Sequence, residues 1–418
     1  MSKNKKRDWR HLDNTAKIFS VEEKKNTNTF RITAILTEDI NQEILLEAAL
    51  ESLVNYPSYR VKLKSGFVWN YFKDNNLEPV IKKEKYNSTR VIRFYKSNNY
   101  LFRLTYNKNC INLDVYHVLT DGLGATILLK DILYNYLSIK YDLSESKPTI
   151  PENHTFSSDE YLKNVNRTLI AHEEKKKAFL IQDKSNYLKN KTYHYILDLK
   201  AVKEVSKAMH VSISEYLATI YSYSLYESIY DKKSKKDIVL NIPVDLRKYY
   251  NVQSFSNFFT CMNINCNVDK STKVSFRYIL KNIHDDFQIK LTPKKLDSYL
   301  SRDVAMGTNL AVSVIPLFIK KLFMKYLGRL VSQSTTTTFS NLGIIELEEP
   351  YNKYVENIFT IVNSGKFQKI KCTVCTYKNQ LNVTINSNLL TNKFEQKFYE
   401  LLVKYCGEVK LEGTPLRK

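Results

Sequence analysis

The chain has 418 residues, a formal net charge of +21 and 43% hydrophobic residues. Single cores stop growing near ~250–300 residues, so two domains are expected, and the apolar content excludes a disordered chain. With only 9 glycines and 9 prolines the chain is neither fibrous nor loop-rich, and its charge points to anionic partners.

Along the chain, Phe30, Ile32, Ala34 and Leu36 alternate with mostly polar neighbours, which predicts a strand. Glu43 to Val54 repeats with helical period behind a candidate cap, Asn41. Tyr59, Val61 and Leu63 alternate with Arg60, Lys62 and Lys64 as a half-solvated strand. Two further strands, Leu101–Tyr106 and Ile111–Tyr116, lead to Gly122-Leu123-Gly124 and an amphipathic helix from Ala125 to Tyr136. From Ser144 to about Asn190 the pattern weakens; Pro148, Pro151 and the cluster Ser157 to Glu160 mark a loop and then a polar helix. The crossover is expected here, giving domains of 1–175 and 176–418. The second half opens with a strand at Tyr193–Leu199, helices at Val202–Met209 and Ser212–Glu227, and a strand Asp237–Val244 that delivers Asp245 and Arg247. Strands follow at Phe258–Val268 and, after a helical region, at Thr335–Phe339, Asn357–Val362, Lys369–Tyr377 and Leu381–Asn386; Lys393–Tyr405 is a closing helix. Mixed α/β architecture is the fold class that results.

The chemistry concentrates at Tyr116-His117-Val118-Leu119-Thr120-Asp121-Gly122. Continuing the alternation of Ile111, Leu113 and Val115 puts His117 on their face, at a strand end beside an acid and a turn. A titratable imidazole there suits a general base, since its pKa near ~6.5 leaves it able to accept a proton at neutral pH. The plainer reading is a structural histidine, with Asp121 capping the next helix. His11, His154, His172, His194, His210 and His284 have no comparable pattern.

Cys372 and Cys375 form a C-x-x-C without a second pair or a nearby histidine, so no metal is expected; in a strand they face opposite sides and read as small buried residues. Pro316 to Val331 reads as one helix, with Lys320, Lys321, Lys325 and Arg329 on broadly one side and Leu317, Phe318, Ile319, Leu322, Phe323 and Leu327 supplying the rest. That pattern fits an interfacial helix and equally a core helix with a solvated basic face. No signal peptide or ~20-residue apolar span is visible, so a cytoplasmic location is the default, with peripheral membrane contact through residues 316–331 as an option. No nucleic-acid-binding signature is present, which makes that partner unlikely.

The His-x-x-x-Asp-Gly stretch resembles the motif of the chloramphenicol acetyltransferase-like superfamily, which includes alcohol acetyltransferases, plant BAHD acyltransferases and condensation domains. Asn241 to Arg247 resembles the Pro-x-Asp-x-Arg segment of these enzymes, Ser256-Asn257-Phe258-Phe259 their Gly-Asn-Phe segment, and Phe339 to Gly343 a late strand-turn near the substrate channel. Leu12 to Phe19 is similar to the opening of bacterial alcohol acetyltransferase-like proteins. Condensation domains carry a second histidine where this chain has Tyr116; the BAHD pattern lacks it too.

The resemblance implies two similar domains, each a mixed sheet packed with helices, with an active-site channel between them. It implies acyl transfer from acyl-coenzyme A to a small alcohol or amine, with no permanently bound cofactor and no covalent enzyme intermediate. His117 is then the base, Asp121 its motif partner held by Arg247, and Gly122 a point of close backbone approach. Asn257, Ser340 and Asn341 are channel candidates or turn formers. Two rivals stand beside this reading: a condensation-type enzyme fed by an acidic acyl carrier protein, and a non-catalytic basic protein that binds membranes or nucleic acid.

Overall fold

The computed structural model describes residues 9–21, 28–84, 92–148, 159–166, 177–186, 190–268, 274–308, 314–323 and 333–413. Its strands are β1 (Trp9–His11), β2 (Thr29–Leu36), β3 (Val61–Ser65), β4 (Asn70–Asp74), β5 (Ile81–Lys83), β6 (Phe102–Asn107), β7 (Cys110–Tyr116), β8 (Lys191–Asp198), β9 (Ile238–Asp245), β10 (Phe259–Cys266), β11 (Thr337–Ile345), β12 (Val355–Val362), β13 (Ile370–Tyr377), β14 (Gln380–Ser387) and β15 (Val409–Gly413). The helices used below are α1 (Asn14–Val21), α2 (Gln42–Asn55), α3 (Gly122–Tyr141), α4 (Glu160–Asn164), α5 (Leu199–Ala208) and α6 (Ile213–Ser228).

Helix starts follow local chemistry. Asn41 accepts from the backbone N–H groups of Glu43 and Ile44 and begins α2. Ser212 and Glu215 form a reciprocal capping box at α6. Asp121 caps α3 by accepting from Gly124 N, so the capping role is real.

The strands build a five-stranded sheet of order β12-β2-β7-β6-β5, a seven-stranded sheet of order β10-β9-β11-β13-β14-β8-β15, and a three-stranded sheet β1-β4-β3. In the first, β2, β7 and β6 pair antiparallel while β5 joins β6 in parallel; in the second, β11 lies parallel to both β9 and β13. The chain therefore has the expected mixed α/β architecture, with one core around α2, α3 and the first sheet and another around α6 and the second.

The halves are not cut cleanly in sequence. β12 comes from the second half but pairs with β2 as an edge of the first sheet. It is also tied sideways to the second sheet: Thr373 Oγ1 donates to Thr360 O at 2.5 Å, Cys375 Sγ to Ile358 O at 3.3 Å, and Asn357 and Asn382 exchange amide bonds at 3.1 and 2.7 Å. Cys372 joins the second core and Cys375 the first, because successive faces of β13 meet different layers. The boundary expected after residue 175 lies outside the described residues.

On the face of β7 opposite Ile111, Leu113 and Val115, the sheet buries charge. Asp114 accepts from Arg31 and Arg103, and Arg31 also reaches Glu84. Burial alone would raise the Asp114 carboxyl, but the two guanidinium groups hold it below its ordinary value.

The basic segment differs from expectation. Residues 317–323 are helical, but Lys320 is only 2% exposed. Its ammonium donates to Val68 O at 2.9 Å and sits 3.6 Å from the Trp69 ring centroid. It satisfies a backbone acceptor and an aromatic face, so it is not a cation on an outward basic stripe. Lys321 is exposed as expected, together with Phe318, Ile319, Leu322 and Phe323, while Lys325 and Arg329 lie outside the described residues. Among the described residues no helix is long and apolar enough to cross a membrane.

Candidate active site

His117 follows the last residue of β7, its backbone N–H donating to Asn28 O at 2.7 Å. The strand alternation carries its ring toward Phe30, the β2 partner of Val115. Phe19, Phe30 and Phe259 surround the imidazole at centroid separations of 4.7, 5.0 and 5.4 Å. Phe259 begins β10, so the ring stands where the two sheets meet. It sits within this aromatic collar and is half-buried. Burial holds the imidazole pKa below 6.5; the charge of Asp121 and the bond with Asn257 oppose that without cancelling it. The ring is therefore neutral at neutral pH, the form a base requires.

Nδ1 of His117 lies 3.1 Å from Asn257 Oδ1. Asn257 is fully buried, and its Nδ2 donates to Asp13 Oδ2 at 3.1 Å. It is thus a direct neighbour of the histidine, with both ends of its amide engaged inside the protein.

Asp121 and Arg247 meet across the two halves. Arg247 Nη2 donates to Asp121 Oδ2 at 2.8 Å, and both side chains are 7% exposed. Three more guanidinium protons go to Asp245 Oδ1 at 2.7 Å, Ser254 O at 2.7 Å and Ser256 O at 2.7 Å. Burial would lower the Arg247 pKa, but Asp121 and Asp245 together drive it up. Asp121 also accepts from Phe258 N at 3.0 Å and Gly124 N at 3.1 Å. One carboxylate thus starts α3, receives Arg247 and anchors the chain next to Asn257. It holds the loop behind His117.

Gly122 is less demanding than its neighbour. A Cβ there would come within 3.2 Å of Leu342, a flexible side chain; at Gly124 it would fall 2.0 Å from Thr120 Oγ1 and 2.5 Å from Phe255 O. Tyr59 donates to Gly124 O at 2.6 Å, and Thr120 Oγ1 donates to Phe255 O, so the 254–258 loop rests directly on this turn. Gly124→Ala should therefore destabilise by about 1–3 kcal/mol through overpacking, and Gly122→Ala by clearly less. Equal melting temperatures for the two variants would contradict this.

Asn341 does not reach the histidine by any described bond. Its Nδ2 donates to Ser214 Oγ at 3.0 Å and its Oδ1 accepts from Gly343 N at 2.8 Å, so it ties β11 to the start of α6. Ser340 projects from the opposite face of β11, the side of its register partner Thr373, whose hydroxyl bonds β12; the register shifts beyond Asn341, so Leu342, which lies beside Gly122, does not continue that alternation. Tyr116, where condensation domains carry a histidine, donates its hydroxyl to Phe19 O at 3.0 Å. An open surface depression of about 520 Å³ between α5 and α6, lined by Lys203, Lys207, His210 and Ser212 among others, contains none of these residues.

Asp13 and Gly124 are the residues that the sequence reading missed. Asp13 lies within the opening segment Leu12 to Phe19, but nothing in the order of residues shows that it sits beneath a motif more than a hundred positions away. The Gly-x-Gly pair is visible in the sequence; which glycine is constrained is not.

No family model and no curated protein matches the sequence. Solved structures match the fold over nearly its whole length. Trichothecene 15-O-acetyltransferase TRI3 of Fusarium sporotrichioides superposes with a TM-score of 0.65 at 12% identity, over 95% of this chain and 94% of that one. TRI101 of F. graminearum, complexed with coenzyme A and deoxynivalenol, gives 0.63 at 10% identity, over 96% and 99%. A mutant starter condensation domain of rhizomide synthetase, in complex with C8-CoA and Leu-SNAC, gives 0.60 at 11% identity, over 96% and 95%. The chain thus has the chloramphenicol acetyltransferase-like fold shared by acetyltransferases and condensation domains.

Proposed function

We propose that this protein is an acyltransferase that moves an acyl group from acyl-coenzyme A to a small alcohol or amine. The observation that carries the reading is His117: a half-buried imidazole at the meeting of the two sheets, its pKa lowered by burial and its Nδ1 engaged by Asn257, so that Nε2 is the nitrogen we assign to chemistry. The fold supports it, since TRI101 of this fold was solved with coenzyme A. The net charge of +21 suits a donor that carries phosphates.

In this mechanism His117 Nε2 takes the proton from the acceptor hydroxyl as its oxygen attacks the thioester carbonyl. The tetrahedral oxyanion collapses, the C–S bond breaks, and the imidazolium returns its proton to the departing thiolate. No enzyme nucleophile is needed. For the oxyanion we assign the Ser340 hydroxyl, because it lies on the side of β11 opposite Asn341, whose amide is engaged by Ser214 and Gly343. Ser340→Ala should lower kcat by about 10²–10³-fold with little change in KM, as measured by steady-state kinetics.

The direct test is release of free thiol from acetyl- and longer acyl-coenzyme A in the presence of a panel of alcohols and amines, with the ester or amide product identified by mass. Release only from acyl groups loaded on a carrier protein would move the protein to the condensation-type alternative. No turnover with either donor would leave a non-catalytic basic protein and overturn the acyltransferase assignment.

A further inference from the structure

We propose that Asp13 is a positioning residue that decides which ring nitrogen of His117 is free to take a proton, acting through Asn257. The inference rests on His117 being the base and adds what makes it one. The two ends of an Asn side chain have nearly the same shape, so the direction in which Asn257 lies is decided by its partners. Asp13 supplies the decision. Its Oδ2 can only accept, so it faces Nδ2 of Asn257, at 3.1 Å. That leaves Oδ1 of Asn257, again an acceptor only, facing Nδ1 of His117 at 3.1 Å. Nδ1 must then carry the ring proton, and Nε2 keeps its lone pair.

The relay is held rigidly. Asp13 Oδ1 accepts from Ala16 N at 2.7 Å and its carbonyl accepts from Lys17 N at 3.0 Å, so the carboxylate is clamped on the first turn of α1. Asp13 is 8% exposed and Asn257 0%, so both stand apart from bulk solvent. Keeping a carboxylate there opposes solvation: burial raises the Asp13 carboxyl to about 7, against the bonds from Ala16 and Asn257, while Asp159 and Asp121 push the same way as burial. Arg10 is the cation that feels Asp13 from β1. The clamp is anionic, and so directional, at mildly alkaline pH.

Asp13→Asn separates this role from a merely structural one. Asn caps a helix as well as Asp does. If the introduced amide oxygen keeps the bond from Ala16 N, the introduced NH₂ group faces Asn257, which must turn over to accept it. Nδ2 of Asn257 then points at His117, Nδ1 becomes the acceptor, and the proton moves to Nε2. The double variant Asp13→Asn with Asn257→Asp restores the original direction, since a carboxylate at position 257 accepts both from the amide at position 13 and from Nδ1 of His117.

The experiment is ¹⁵N NMR of histidine-labelled protein at mildly alkaline pH, with His117 assigned by its loss in His117→Gln. Protonated Nδ1 is expected in the unaltered protein, protonated Nε2 in Asp13→Asn, and protonated Nδ1 again in the double variant. In parallel, kcat for thiol release from acetyl-coenzyme A should fall at least ~10²-fold in Asp13→Asn at unchanged KM and recover in the double variant, in line with the cost of a wrong histidine tautomer. A folded Asp13→Asn protein that keeps protonated Nδ1 overturns the proposal, because the backbone of His117, which also bonds its own ring, would then set the tautomer alone. If Asp13→Asn does not fold, Asn257→Leu is read instead: a mixture of tautomers supports the relay and unchanged Nδ1 protonation overturns it. Since the tautomer is read without substrate, inversion in a protein that lacks transferase activity would sink the functional reading and leave the relay standing.

Discussion

Replacing His117 by Gln should lower kcat for acyl transfer by about 10²–10⁴-fold, the range a positioned general base contributes. The fold should survive, because the ring is only half-buried and its neighbours Phe19, Phe30 and Phe259 pack against their own sheets and helix as well. Glutamine keeps polarity and approximate volume but takes up no proton at any working pH. Circular dichroism and melting temperature should therefore match the unaltered protein while turnover collapses. A second measurement checks the electrostatics. Burial lowers the His117 pKa, so an NMR titration of the ring should have its midpoint below 6.5. The sign follows from linkage: the folded state resists the proton that the unfolded chain accepts, so this group makes the protein less stable as pH falls below 6.5. A variant that retains full turnover would remove His117 from the mechanism, whatever the titration shows.

Much of this site is legible in the sequence because it is built from short-range patterns. Alternation in Ile111, Leu113 and Val115 locates the strand and the side of His117; the polar cap at Asp121 locates the helix. The local reading of Asp121 as a cap and the pairing with Arg247 that the resemblance implies hold at once, since one oxygen caps α3 and the other receives Arg247. What stays illegible depends on contacts between distant segments. The short strands Trp9–His11 and Ile81–Lys83 escape notice because three residues are too few to show a period. β12 reads as an ordinary strand of the second half, yet its partner is β2. Lys320 looks like a solvated cation until the Val68 carbonyl and the Trp69 ring are brought to it. Charge on the hidden face of β7 is illegible for the same reason, since Asp114 is tolerated there only with Arg31 and Arg103 beside it.

Arg247→Ala should be among the most damaging single changes in the chain, at about 3–5 kcal/mol of stability, because it strands the buried carboxylate of Asp121. The pair is nearly solvent-free on both sides, at 7% exposure each, so little water is available to replace the lost partner. The damage should spread beyond the pair. Arg247 also holds the carbonyls of Ser254 and Ser256, and Asp121 holds the N–H groups of Gly124 and Phe258. These bonds flank Asn257 on one side and His117 on the other, so the loop and the base should lose position together. Lysine should not rescue the change: a single ammonium cannot span acceptors arranged for a planar fork. Asp121→Asn should cost less than Arg247→Ala, since an amide still caps α3 through its oxygen. Removing both charges, as Asp121→Asn with Arg247→Met, should cost less than the sum of the two single changes by about 0.5–3 kcal/mol, the coupling expected of groups in one network. Denaturant midpoints at constant slope measure the stability cycle, and kcat measures the same cycle in function. Strict additivity in both would show that the two residues act separately, and the link between the halves behind His117 would have to be sought elsewhere.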